Sequence, residues 1–583
     1  MTERATPTGM FIAFEGIDGS GKTTLSNKVA AALRERGVTV EHAREGGWFA
    51  SRVTQSIREL CRDARNLALV PRAELLLYVA REVQLAEEFL VPALSRADVV
   101  IADRYLYTAE VLARHVRRLS DAAIRSIVDD AAGGLWPDLV FLVDVDPSVA
   151  RGRRKVAKML SREQRPASRK GLVGSGLGQR LRDGYLALAA SDPARWIILD
   201  NSDADIDQIV AGICETILAA RSEGLPTAIA RARAARMPSN DNMVAVPEAS
   251  VTDTPQAALA AFLTWVDDRA QREPTLAAYV LSGLSGTGID DRRLGLAARV
   301  PRVIARGLRG QSDAVSWRLR RSLAEAAPHE VAMSLDEQAA EAPGAWALRE
   351  LLAEAAPAEV AASLRGLDDE TAWALREQLY QRAPDAVLTS LALLDAERAW
   401  HWRERWIAER GGLDMAVGGY VGARAAARSV TGLDDERAWT IRKAARAAAP
   451  VIAIASLAGL TSEKAWRWRE KMLGRAPKTV LSTIAGLDDG RAWAMRVAMA
   501  SSCREALDSL IGLDHPTAWE LRESCLELWP SCAIKSLGVL VSGARGKELL
   551  QRALSLFPHN ISLLKQAAGI ATGGNLNATI MAA

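Results

Sequence analysis

The 583-residue sequence predicts two folded parts of different class: an α/β part built on a five-stranded, doubly wound parallel sheet, then an all-α solenoid of helical-hairpin repeats. Three observations predict this. Short apolar runs alternate with helical patterns from Met10 to about Ala220. The glycine-rich stretch "FEGIDGSGKTT" (Phe14–Thr24) joins the first of these runs to a helical pattern. Tryptophans then recur at a fixed interval through the second half. The length agrees, since a single core rarely supports so long a chain.

In the first part the candidate strands are Met10–Glu15, Val38–Ala43, Val99–Ala102, Leu139–Asp144 and Trp196–Leu199. Each is apolar enough to be buried on both faces, which implies a parallel sheet covered by helices. This domain is expected to span residues 1–221. Residues 222–256, "SEGLPTAIARARAARMPSNDNMVAVPEASVTDTPQ", are rich in Pro, Ser, Thr, Asn and Ala without sustained period, and read as a flexible linker.

The solenoid is expected over residues 257–540. Trp317, Trp346, Trp373, Trp400, Trp439, Trp466, Trp493 and Trp519 follow one another at 29, 27, 27, 39, 27, 27 and 26 residues, so the unit is 27 residues long with one insertion near Gly411–Ala427. An arginine stands three positions after each: Arg320, Arg349, Arg376, Arg403, Arg442, Arg469, Arg496 and Arg522. In the unit "GLDDETAWALREQLYQRAPDAVLTSL", Asp368 or Asp369 can cap a first helix and Pro384 suits the first position of a second. One such hairpin cannot bury its own apolar face, so neighbours must stack. At i and i+3, Trp and Arg share a helix face. That favours a ring filling the inter-repeat core with a guanidinium stacked on it, the arginine mattering less than the ring. The competing reading is an arginine ladder that grips phosphates or an acidic partner. Residues 541–583 read as a helical cap and a flexible tail ending in "GGNLNATIMAA".

Lys+Arg (74) nearly balance Asp+Glu (71), which argues against nucleic acid or an acidic membrane as partner. Five scattered cysteines without paired spacing point to reduced thiols and a cytoplasmic setting, and no apolar run approaches 18 residues. Cys525 and Cys532 near His515 have poor spacing for a metal.

The chemistry concentrates in Gly16-x-x-x-x-Gly21-Lys22-Thr23, which follows an apolar strand and precedes the helical pattern "TTLSNKVAAALRERG", as a P-loop requires. Backbone N–H groups of Gly16, Ile17, Asp18, Gly19, Ser20, Gly21, Lys22, Thr23 and Thr24 would cradle phosphates. Lys22 would reach the β- and γ-phosphates of ATP, and Thr23 would ligate Mg2+. Asp103, in "DVVIADRYLYT", closes an apolar strand at the edge that faces the ligand crevice. There it could hold a magnesium-bound water or orient the acceptor, with Arg104 lending charge to a phosphate. Position alone fits a strand end capped by a surface salt bridge equally well.

Taken together, "FEGIDGSGKTT", "REGG" (Arg44–Gly47), "LLYVAREVQLAEEFLVPAL" (Leu76–Leu94), "VVIADRYLYT" and "WPDLVFLVDVDPSVARGR" (Trp136–Arg153) resemble the thymidylate kinase family over about Met10–Asn201. The resemblance implies transfer of the ATP γ-phosphate to a deoxynucleoside monophosphate, dTMP above all, with ATP and Mg2+ as cofactors. Asp18 would approach the acceptor sugar. Arg44, Arg81 and Arg104 would contact the acceptor nucleotide, and Asp103 would lie beside its phosphate. Gly19 occupies a place where some members carry an arginine. The charge clamp is then expected from a mobile lid, "RRKVAKMLSREQRPASRKGLVGSGLGQR", through Arg162, Arg165 and Arg169.

The departures bear on specificity. The chain lacks the proline of the family's "REPGG", and Leu77 and Leu112 stand where members place an aromatic ring for the base and a tyrosine for the sugar. These changes imply a roomier acceptor pocket and weaker discrimination among pyrimidines. For the repeats the sequence implies an unknown protein partner, and the kinase-like domain leaves room for a homodimer. The alternative function is a nucleotide-binding scaffold or sensor with a degenerate kinase domain.

Overall fold

Strand β1 (Met10–Glu15), buried after its first residue, lies at the centre of the sheet that organises the N-terminal unit. The computed structural model describes residues 9–45, 49, 51–62, 70–160, 175–202, 205–234, 255–335 and 343–572. It divides into two units, Met1–Val246 and Pro247–Ala583.

The other strands of the first unit are β2 (Val40–His42), β3 (Val99–Asp103), β4 (Leu139–Asp144) and β5 (Trp196–Asp200). Their order is β2-β3-β1-β4-β5, and every pairing is parallel. The expected strands therefore form, β2 shorter than expected and β3 and β5 each one residue longer. Because β3 and β4 flank β1 on opposite sides, strand order reverses there, and ligands of open α/β sheets bind outside the strand ends at such a point. Register places Phe14 of β1 opposite Asp103 of β3 at that edge.

The helices are α1 (Lys22–Glu35), α2 (Arg52–Arg62), α3 (Pro71–Leu85), α4 (Val91–Leu94), α5 (Leu106–Val111), α6 (Asp121–Ala132), α7 (Pro147–Leu160), α8 (Ser175–Ser191), α9 (Ile206–Glu223) and α10 (Leu225–Ala234). Leu25, Val29 and Leu33 of α1 and Ile209, Ile213 and Ile217 of α9 pack with Ile12, Phe14, Ile101 and Phe141 of the sheet in one core. Helix α10 corrects the linker reading. Its Ile229 and Ala232 join that same core, with Leu225 packed against it, so the folded unit extends at least to Ala234. A stripe at positions 225, 229 and 232 is a helix face, and Pro226 sits in the first turn, where proline is tolerated. The rest of the expected linker, residues 235–254, lies outside the described residues, as do 573–583 of the expected tail.

Among the described residues of the second unit every regular element is a helix. Each repeat pairs a longer helix with a short one. In the unit at Trp373 these are Glu370–Tyr380 and Pro384–Ser390, the latter with proline at its start. The two aspartates divide the work. Asp369 caps the first helix by accepting from the Ala372 N–H at 2.9 Å, while Asp368 accepts from the Trp373 indole N–H at 2.9 Å. The same indole–aspartate bond recurs at Trp400, Trp439, Trp493 and Trp519.

Burial decides between the two readings of the arginines. All eight are at most 1% exposed and cannot grip a partner. Arg376 donates through Nε to Ser390 Oγ at 3.0 Å and through Nη2 to the Leu367 carbonyl at 2.8 Å in its own repeat, and through Nη2 to the Leu364 carbonyl of the preceding one at 2.7 Å. Its Cζ stands 4.5 Å from the Trp373 ring centroid. Among the described residues no carboxylate bonds to it directly, and burial pulls its pKa down to about 10. The guanidinium is thus a clamp between consecutive repeats, as deeply buried as the ring, and the expectation that it matters less is revised.

The array also closes on itself. Each short helix packs on the short helix of the next unit. The last helix, Ile561–Ala571, packs on Pro530–Lys535 before it and on Pro255–Arg272 and Pro274–Val280 at the start, so the ends meet in a ring. What the sequence suggested was a cap is the closing element. Lys565 lies in this seam, 4% exposed, with Arg293 and Lys535 near it. Burial and these two cations lower its pKa to about 7.

Two predictions follow from the ring. Most of the 16 tryptophans lie in it, so intrinsic fluorescence follows its unfolding. Arg376→Ala should destabilise the ring as much as Trp373→Ala, each by about 3–5 kcal/mol, since it opens a cavity and strands carbonyls. Arg376→Lys should recover little, because an ammonium cannot span the three acceptors. For Lys565 the unfolded chain holds its proton up to about pH 10.5. The folded chain loses it near 7, so stability should rise with pH between these values. Melting followed by fluorescence should gain several degrees from pH 7 to 9 in the wild type and less in Lys565→Met.

Candidate active site

The loop from Gly16 to Gly21 turns tightly under the sheet edge. Gly16 has φ 133°, and a Cβ there would stand 2.4 Å from the Val143 carbonyl oxygen, so only glycine fits. Gly21, with φ 98°, opens α1. Asn201, after β5, braces the loop by donating to the Ser20 carbonyl at 2.6 Å. Lys22 follows at the start of α1, 5% exposed, and donates from Nζ to the Ile17 carbonyl at 2.7 Å. Burial, then the Arg104 charge, lowers its pKa to about 7, although Asp18, Asp103 and Glu15 oppose the shift.

Asp103, at the end of β3, joins the two sides of the crevice. Its Oδ2 accepts from Thr23 Oγ1 at 2.6 Å and from Arg44 Nη1 at 3.0 Å, while Oδ1 is buried with no hydrogen-bond partner. Burial alone would raise its pKa, but Arg44, Lys22 and Arg104 outweigh it and keep the carboxylate charged. It is 2% exposed, so the surface-salt-bridge reading fails. Thr23 and Asp103 present two hard oxygen donors side by side, one with a free lone pair. That suits a small cation held mainly by water and phosphate, and among the described residues no cluster of three His, Cys, Asp or Glu offers a fuller cage.

Arg104 takes a left-handed backbone, φ 82°, which aims its guanidinium back under the loop. Nη1 donates to the Gly16 carbonyl at 3.0 Å and Tyr185 Oη at 3.1 Å, and Nη2 is paired with Asp18. Glu15 lies beneath, fully buried, accepting from the Tyr105 N–H and Thr108 Oγ1, each at 2.8 Å. Burial raises its pKa.

These groups border a cleft that is partly open to solvent. Gly16, Ile17, Asp18, Arg44, Arg81, Asp103, Arg104 and Leu112 all line it, so the structure gathers in its wall eight of the residues singled out in the sequence, while residues 19–24 are not part of that wall. Leu77 is not in its wall. On α3 the cleft faces Arg81 and Tyr78, one turn apart, and the Arg81 Cζ stands 5.0 Å from the Tyr78 ring centroid. Arg162, Arg165 and Arg169 lie outside the described residues. Arg151 and Arg154 of α7 reach the cleft instead, and a Cβ on Gly19 would stand 3.0 Å from Arg154 Cγ. Sequence reasoning missed Glu15, Phe49, Arg58, Tyr78, Arg151, Arg154 and Tyr185. Glu15, Tyr78, Arg151 and Arg154 sat within stretches that pointed to the site, whereas Phe49, Arg58 and Tyr185 did not.

A family model described as Thymidylate kinase matches residues 14–213. Among curated relatives, the thymidylate kinase of Nitratidesulfovibrio vulgaris strain DP4 is 35% identical over 37% of this chain and 96% of its own length. That of strain Miyazaki F is 38% identical over 33% and 88%, and that of Geobacter sulfurreducens 35% over 36% and 97%. The chain belongs to the thymidylate kinase family. Membership rests on the N-terminal unit, which is an ATP-dependent phosphotransferase, and the family model covers none of the ring. Among the described residues no helix is long and apolar enough to cross a membrane.

If Lys22 meets the triphosphate of ATP, binding should draw a proton onto an amine whose pKa burial lowers to about 7. ATP affinity should fall by up to tenfold per unit above pH 7. Calorimetry in buffers of different ionisation enthalpy should show the uptake at pH 8, and Lys22→Met should abolish it.

Proposed function

We propose that the N-terminal unit transfers the γ-phosphoryl group of ATP to a deoxynucleoside monophosphate, converting dTMP to dTDP. The observation that carries this reading is the single cleft in which the phosphate loop faces Arg44, Arg81, Asp103 and Arg104. An acceptor phosphate held by Arg44 and Arg81 would present an oxygen in line with the γ-phosphorus. That oxygen forms the new P–O bond as the bond to the β–γ bridging oxygen breaks, giving ADP and a diphosphate with no covalent enzyme intermediate.

Lys22 leaves the Ile17 carbonyl for the β- and γ-phosphates. Arg104, held by Gly16, Tyr185 and Asp18, keeps positive charge beside the loop, and Asp18 meets the acceptor sugar. Thr23 and Asp103 would hold magnesium, Asp103 partly through water; the ion supplies charge neutralisation on the phosphates. Arg151 and Arg154, with Arg162, Arg165 and Arg169 beyond them in sequence, are the proposed donors of charge to the transferring group. For the ring we propose a protein-binding role, supported by the exposed Met415, Tyr420 and Val421 at the insertion.

ADP release measured across dTMP, dUMP, dCMP and dGMP tests the reading. Turnover with dTMP is expected, and Lys22→Ala should lose at least a hundredfold in kcat while keeping its circular dichroism spectrum. Nucleotide binding without turnover on any acceptor would favour the scaffold alternative.

A further inference from the structure

Leu77 and Leu112 predicted an acceptor pocket short of aromatic rings, yet three rings line the cleft from other positions, Tyr185 beside Arg104 and two more beside Arg44 and Arg81. Phe49 comes from the segment after β2, and Tyr78 from α3; both are half-buried, and both line the cleft alongside Arg58, Arg81 and Leu112. They are tied to the groups assigned to the acceptor phosphate. The Arg81 Cζ stands 5.0 Å from the Tyr78 centroid and 5.9 Å from that of Phe49, and the Arg44 Cζ stands 5.7 Å from Phe49. Two guanidinium groups therefore border one ring, and one of them borders both.

An acceptor whose phosphate lies on Arg44 and Arg81 must place its base within a sugar's reach of those groups, where these rings form the wall. A flat, uncharged ring face favours a planar heterocycle. We propose that Phe49 and Tyr78 form the aromatic wall against which the pyrimidine base of the acceptor stacks, supplying from a neighbouring loop and one residue along α3 the contact absent at Leu77. This rests on the kinase reading above. The bland alternative is that Phe49 only covers the arginines and orders them.

Steady-state kinetics with dTMP, together with inhibition by deoxyribose 5-phosphate, which has the phosphate and sugar but no base, separates these. Phe49→Ala should raise KM for dTMP about tenfold, the worth of one aromatic contact. It should leave kcat within about twofold and the inhibition constant of deoxyribose 5-phosphate unchanged. Phe49→Tyr should keep the wild-type KM, and Tyr78→Leu should raise it as Phe49→Ala does. An unchanged KM for ATP certifies the fold of each variant. If Phe49→Ala leaves KM for dTMP unchanged, or weakens deoxyribose 5-phosphate in step with dTMP, the base wall is refuted while the kinase reading stands. A wild-type enzyme inactive on every monophosphate overturns both.

Discussion

One buried carboxylate holds the kinase unit's site together. Asp103 ends the strand beside β1, accepts from Thr23 at the start of α1, and accepts from Arg44 on the other bank of the cleft. It thereby ties the start of α1, just after the phosphate loop, to Arg44. The surrounding charges are set before any ligand arrives: Arg44, Lys22 and Arg104 keep Asp103 ionised despite its burial. Such preorganisation lets the site meet developing charge on a transferring phosphoryl group without reorganising water. Lys22 meets the converse condition. Burial, then the neighbouring Arg104 charge, lowers its pKa to about 7, so the amine holds its proton less firmly than an exposed lysine does.

The ring solves a different electrostatic problem with backbone dipoles. Eight arginines of the repeats sit in its interior, and those such as Arg376 and Arg469 bond to carbonyl oxygens of the preceding repeat and to a serine or threonine of their own. Tryptophan faces lie 4.4–5.1 Å from the guanidinium carbons, adding attraction from the ring quadrupole. A buried cation held by a carbonyl of one repeat and a hydroxyl of the next tolerates neither loss of the repeat before it nor a shift in register. That explains why the Trp–x–x–Arg spacing persists across a 12-residue insertion. Closure by Ile561–Ala571 then removes the exposed ends that an open array must cap.

Local patterns made much of this legible. The strands, the phosphate loop and the repeat are written in contiguous residues, so periodicity and glycine placement revealed them. Asp103 was legible because a strand end fixes where its side chain points, and Asp368 and Asp369 were legible as a pair though not in their separate roles. What escaped depends on distant segments meeting. Phe49, Arg58 and Tyr185 reach the cleft from three separate segments outside every stretch that pointed to the site. Leu77 and Tyr78 are adjacent, and only the rotation of α3 selects the latter. Ring closure brings Ile561–Ala571 to Pro255–Arg272 across the whole array, a contact no repeat period encodes. Helix α10 was hidden by prolines and small residues that resemble a linker, although its apolar stripe was present.

The account stands or falls on Asp103 as the link between the two sides of the cleft. The most direct measurement is single-turnover phosphoryl transfer to dTMP by Asp103→Asn over a magnesium titration, with ATP binding measured separately. The amide keeps the shape but lacks the charge that pairs with Arg44 and supports the cation beside Thr23. Transfer should slow by at least a hundredfold and demand more magnesium, while ATP binding changes little. Wild-type transfer rates at wild-type magnesium would contradict the account.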